Sequence, residues 1–141
     1  MKEDSWEDAF LTGNLEKSKE FLNNNRVDLR KALICVIKMK SRNYKLYKQI
    51  VLSKMIVANY KATAPRYFEL DRSMLDVLKL AINVNSTFIA KLLLREGVNI
   101  QLTVDMKISN NMQKLLFSFG YGEQLNQYYR LKADIFEKEK C

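Results

Sequence analysis

One pattern recurs along this chain about four times: a short amphipathic stretch, a tight turn, a second amphipathic stretch and an irregular link. A unit of this kind cannot bury its apolar stripe alone, because two short helices leave one face in water. It must stack on a neighbour. The same pattern excludes a many-stranded sandwich or barrel, which needs turn residues at short, regular intervals. The chain holds only four Gly and a single Pro, Pro65. The expected fold class is therefore all-α: a short helical solenoid of stacked antiparallel helix pairs, closed by a C-terminal helix. At 141 residues, one domain spanning 1–141 is expected, long enough to bury a core.

The spacing of apolar residues places the elements. Ser5 reads as an N-cap with Glu7 and Asp8 in the first turn, where carboxylates suit the positive end of a helix. This helix is expected to run to about Leu11 and stop at Thr12-Gly13-Asn14. Leu15 to Asn23 follows, with Leu15, Ser18, Phe21 and Leu22 on one face. Leu29 to about Lys40 carries the stripe Leu29, Ala32, Leu33, Val36 and Ile37, and Ser41-Arg42-Asn43 reads as a turn. Tyr44 to about Ala58 is expected as a longer helix whose apolar positions include Leu46, Tyr47, Ile50, Val51 and Met55-Ile56-Val57. Residues 59–72 contain Pro65 and lack periodicity, so an irregular insertion is expected there.

Ser73 is expected to cap a helix running through Ala81 toward Val84, and Ser86 to cap Thr87 to Glu96, with Gly97 in the place of a C-terminal glycine. Val98 to Asp105 reads as extended. Met106 to Ile108 and Asn111 to Phe119 read as another helix pair, ending at Gly120-Tyr121-Gly122. The tail, 123–140, is expected as an amphipathic helix with Leu125, Tyr128, Tyr129, Leu131 and Ile135 on its apolar side.

Two segments carry more than generic helix pairing. Leu78 to Ile82, Ile89-Ala-Lys-Leu-Leu-Leu and Gly97-Val-Asn-Ile, all within 75–100, resemble an ankyrin repeat. Segment 6–28, with Gly13-Asn14 at the interhelical turn, resembles a first, capping repeat of the same family. Small Ala81 suits the close approach of inner helices, and Gly97 the positive φ at a helix end. Lys79 stands where the family has His, the Thr-Pro opening is missing, and 59–72 breaks the period of roughly 33 residues. The resemblance implies a module that binds another protein through a concave wall of loop tips and inner helices. On that wall the residues expected to meet a partner are Tyr60, Arg66, Tyr67, Phe68, Arg72, Asp76, Lys79 and Lys107.

No catalytic set assembles from the residues. The chain has no histidine, which removes the commonest general base and metal ligand. Cys35 falls within an apolar run and Cys141 at the end; they make no disulfide framework, and Cys35 is expected to be inert. A non-catalytic protein without cofactor or metal is expected. The acidic, polar start differs from a secretory signal, and no run approaches the roughly 18 apolar residues of a membrane span. The expected location is therefore intracellular, in cytoplasm or nucleus, without a membrane partner.

Charge supplies the remaining signal. The formal net charge is +8, and it is concentrated. Between Asp28 and Glu69 no acidic residue occurs, while Arg30, Lys31, Lys38, Lys40, Arg42, Lys45, Lys48, Lys54, Lys61 and Arg66 do. A positive field of this kind draws anionic partners. The anion-binding candidates are Arg30, Lys38, Arg42, Lys45 and Lys48. Interleaved tyrosines such as Tyr44 and Tyr47 suit an acidic protein surface, where Tyr and Arg make hot spots. They equally suit nucleic acid, whose bases stack on aromatic rings. Three readings follow: a protein-interaction module (adaptor, inhibitor or scaffold subunit), a basic helical nucleic-acid binder using 30–66, and a host-interaction factor of a virus or parasite, the last from the Lys-, Asn-, Ile- and Tyr-rich composition. A homo-oligomer is expected if the terminal helix exposes its stripe.

Overall fold

A computed structural model describes residues 5–24, 27–63 and 74–140. Among the described residues there are eight α-helices and no strand: α1 Trp6–Thr12, α2 Leu15–Asn23, α3 Leu29–Ile37, α4 Lys45–Thr63, α5 Leu75–Asn83, α6 Thr87–Arg95, α7 Asn110–Ser118 and α8 Gly122–Lys140. None of these is long and apolar enough to cross a membrane. The chain divides into two compact units, Met1–Val77 and Leu78–Cys141.

In the first unit the helix starts are set by caps. The Ser5 hydroxyl accepts the Asp8 amide at 3.3 Å, the Asn14 side chain that of Lys17 at 3.2 Å and the Asp28 carboxylate that of Lys31 at 3.2 Å. Each satisfies an amide that the first helical turn leaves without a partner. Helix α1 packs on α2 and on α3, while α4 packs on α2 and on α3. Two helix pairs thus lie one on the other, an arrangement compatible with a short helical solenoid. Phe10, Leu22, Leu33, Met39, Leu52 and Ile56 are fully buried between them, each contributing about 1.5–3 kcal/mol of transfer free energy. The Trp6 ring meets Phe10 edge-on at 5.9 Å.

Two expectations are corrected here. Helix α3 ends at Ile37 rather than near Lys40, because Met39 turns into the core and Lys40 gives its amide to the Leu11 carbonyl at 2.8 Å. Helix α4 starts at Lys45 and continues through Asn59–Thr63, part of the expected insertion. Ala58, Lys61 and Ala62 are good helix formers, and no Gly or Pro occurs from Asn59 to Thr63. The rest of the expected insertion, with Arg66, Tyr67, Phe68 and Arg72, and the proposed cap Ser73, lies outside the described residues.

In the second unit α6 packs on α7 and α7 on α8. A tight turn with Asn85 at φ +61° leads into α6, closed by the Ser86 amide on the Ala81 carbonyl at 2.8 Å. Ser86 holds the N-cap position but makes no side-chain cap bond, contrary to expectation. Its ψ of 80° differs from the extended 153° and 165° of Ser5 and Ser109, whose hydroxyls do cap. Gly97 ends α6 at φ +90°, its amide on the Leu94 carbonyl and that of Val98 on Leu93. That double closure is the Schellman arrangement, which needs a left-handed residue.

The segment between α6 and α7 has no helix, so the expected short helix at Met106–Ile108 is absent. Its backbone is instead satisfied by side chains from neighbouring elements. Tyr121 Oη accepts the Ile100 amide at 3.2 Å, Gln124 Oε1 that of Leu102 at 2.8 Å and Asn83 Oδ1 that of Lys107 at 2.9 Å. Tyr128 donates its hydroxyl to the Met106 carbonyl at 2.6 Å. Val98, Ile100 and Leu102 are buried at alternate positions, as an extended chain against a core requires.

The hydroxyls of Ser18 and Ser53 are buried with no hydrogen-bond partner among the described residues. Removing an orphan hydroxyl removes a desolvation penalty, so Ser18→Ala and Ser53→Ala are expected to leave stability unchanged or raise it by up to ~1 kcal/mol. Tyr128→Phe, which strands the Met106 carbonyl, is expected to lower it by about 1–2 kcal/mol. Urea denaturation of the three variants tests the contrast, and a loss for either Ser→Ala variant contradicts it.

Candidate docking surface

The segment from Lys38 to Tyr44 joins α3 to α4, and with the first turn of α4 it is pinned at several points. Met39 is buried at 2 % exposure, and the Lys40 amide is tied to Leu11. From α4, the Gln49 side-chain amide reaches the Val36 carbonyl at 2.9 Å. Ser41 Oγ donates to the Asn43 carbonyl at 3.3 Å and receives Lys48 Nζ at 3.2 Å. Opposite them stands Gly13, at φ +73°. A Cβ there would meet Lys48 Cδ at 3.0 Å, Met39 Sδ at 3.1 Å and Ser41 Cβ at 3.2 Å. Gly13 thus lets the loop lie directly on the end of α1.

The side chains that this anchored backbone presents are not used by the fold. Lys38, Lys40, Arg42 and Lys45 are all exposed. Among the described residues none of the four makes a side-chain hydrogen bond or ion pair. Beside them Tyr44, Leu46 and Tyr47 are 79 %, 64 % and 61 % exposed. Tyr44 also carries backbone strain. Its φ is +54°, the left-handed region, while its carbonyl starts α4 by accepting the Lys48 amide at 2.9 Å. For a bulky side chain that conformation costs about 1 kcal/mol or more. An exposed ring contributes no burial in return.

The sequence-derived candidates divide. Arg30 and Asp76 come together: Arg30 Nη2 lies 2.6 Å from Asp76 Oδ2. Both are partly exposed, so the pair contributes about 0–1 kcal/mol, and each cancels the charge the other was expected to offer. Lys38 and Arg42 lie on the loop and Lys45 opens α4 directly after it, whereas Lys48 is half-buried with its ammonium on Ser41. Tyr60 is half-buried near the end of α4. Lys79 and Lys107 are exposed in the second unit. Leu46 and Tyr47, expected in the apolar stripe of α4, are instead solvent-facing on its first turn.

Other chemistry is muted. Burial pushes the Cys35 thiol above its ordinary range, the Glu7 and Asp8 carboxylates act in the same sense, and Lys38 acts against them. A thiol so placed stays protonated at neutral pH and is a poor nucleophile. The Thr103 hydroxyl holds the Asp105 carboxyl below its ordinary range, helped by the Asp105 backbone, Lys79 and Lys132. In the second unit an open groove of about 320 Å³ lies between α7 and α8, lined by Phe117, Gly122, Leu125 and Tyr129 among others. From Tyr129 to Glu139 helix α8 has no buried residue, so Leu131, Ile135 and Phe136 meet solvent. Leu125 and Tyr128, on the same expected stripe, are buried.

Replacing Tyr44 with Gly removes the left-handed strain and nothing that is packed. Tyr44→Gly is expected to raise stability by about 0.5–1 kcal/mol. Gly13→Ala, strained and crowded, is expected to lower it by more than ~1 kcal/mol. Chemical denaturation decides; a destabilised Tyr44→Gly would show the ring to be structural. No family model, curated protein or solved structure matches this chain.

Proposed function

We propose that this protein is a non-catalytic protein–protein interaction module, an adaptor, inhibitor or scaffold subunit, whose principal contact is the loop from Lys38 to Tyr47. One observation carries the reading: a backbone anchored at Met39, Lys40 and Ser41 displays three large side chains and four cations that the fold does not use. Exposed large side chains grouped in this way mark a contact surface more than scattered ones do. Tyr and Arg are the residue types that dominate interface energetics. A pre-fixed loop also loses little entropy on binding, which favours affinity.

The wall that the resemblance implies contributes Lys79 and Lys107, exposed cations of the second unit. They belong to the second unit and do not carry the reading. An intracellular site of action fits the unpaired, half-buried Cys35.

The test is affinity capture from native cells, with nuclease treatment as the control. A partner retained after nuclease and lost with the double variant Tyr44→Gly, Tyr47→Ala is the expected result. Both positions are exposed, so the variant folds. Undiminished recovery of every partner by that variant would end the assignment of this loop.

A further inference from the structure

We infer that the loop from Lys38 to Tyr47 recognises an acidic polypeptide segment that sets an apolar side chain among its carboxylates. The inference rests on the interaction reading above and specifies what the partner must present.

Charge comes first. Lys38, Lys40, Arg42 and Lys45 lie within a stretch where the sequence supplies no acid from Asp28 to Glu69, and none of them is ion-paired among the described residues. Like charges crowded on one loop repel, and a partner rich in carboxylates turns that repulsion into attraction. Arg42 adds geometry, because its planar fork grips a carboxylate with two parallel bonds. Lys48 is not part of the reader: its ammonium is held by Ser41.

The apolar residue separates this occupant from nucleic acid. Tyr44 and Tyr47 suit either class, since a ring stacks on a base as readily as it covers an aliphatic side chain. Leu46 does not. It is 64 % exposed between Lys45 and Tyr47, it has no π-face, and a phosphate–sugar chain offers it little apolar surface. An exposed leucine on a segment of exposed cations fits a ligand that carries both carboxylates and an apolar side chain. Such a contact has a desolvated middle and a charged rim, as protein interfaces do.

Fluorescence anisotropy on the full chain tests this with three labelled probes: a short peptide of Asp and Glu around a central Leu-Phe, the same peptide with Ser in place of Leu-Phe, and a single-stranded oligouridylate of equal charge. The acidic–apolar peptide is expected to bind most tightly. Leu46→Ala is expected to weaken it by about fivefold or more while leaving the oligouridylate unaffected. Arg42→Gln with Lys45→Gln should weaken it by more than about tenfold and flatten its salt dependence. Lys91→Gln, at an exposed position of α6, should change neither quantity.

The inference is overturned if the oligouridylate binds more tightly than the peptide, if Leu46→Ala makes no difference, or if no peptide binds in low salt. These failures are distinct from failure of the parent reading. Capture of a nuclease-resistant partner that depends on Tyr44 and Tyr47, with indifferent peptides, removes the acidic–apolar partner alone. Loss of both removes the loop as an interface.

Discussion

The structure of the candidate site depends on one close approach: the turn after α3 lies on the glycine that ends α1. A side chain at Gly13 would collide with Met39, Ser41 and Lys48 together. Because it has none, Met39 reaches the core and the Lys40 amide reaches Leu11. The backbone of the loop is therefore part of the fold, while the side chains of Lys38, Lys40 and Arg42 to Tyr47 are left outside. Rigidity with unused chemistry is what distinguishes a contact surface from a loop that merely connects helices.

The unused chemistry is electrostatic before it is anything else. Two unit charges a few ångströms apart at a protein surface interact by a few kcal/mol when solvent screens weakly, and by ~1 kcal/mol in bulk water. With no carboxylate supplied by the surrounding sequence, the loop's cations gain nothing from their own chain. The Arg30–Asp76 pair shows the contrast, since a carboxylate distant in sequence neutralises one member of the same basic stretch. The free charges share a short segment of chain with the exposed Tyr44, Leu46 and Tyr47. Long-range attraction and short-range apolar contact are thus offered by neighbouring residues.

Much of the architecture was legible in the residues. Leu15–Asn23 was bounded correctly because Asn14 caps it and an asparagine run ends it. The glycine at 97 announced the end of α6, and the acid-free interval between Asp28 and Glu69 announced a concentration of positive charge. Boundaries failed where tertiary contacts outweighed local pattern. Helix α3 stops early because Met39 and Lys40 find partners on α1. Met106–Ile108 stays irregular because Asn83 and Tyr128 take its backbone groups. Neither partner is visible in a short window of sequence. At the candidate site, residue types pointed to the stretch whose cations are exposed, but periodicity assigned Leu46 and Tyr47 to the buried stripe. Their exposure depends on where neighbouring helices end, a property of packing and not of spacing. The absence of backbone strain signals in sequence likewise hid Tyr44, whose left-handed conformation appears only in three dimensions.

The account therefore turns on whether the loop is held as rigidly as its contacts imply. Native-state hydrogen exchange at the Lys40 amide measures this directly. Protection comparable with the amides of α3 is the result the account requires, since the donor is tied to Leu11 above Gly13. Exchange of Lys40 at the rate of an unstructured peptide, with α3 still protected, would contradict it.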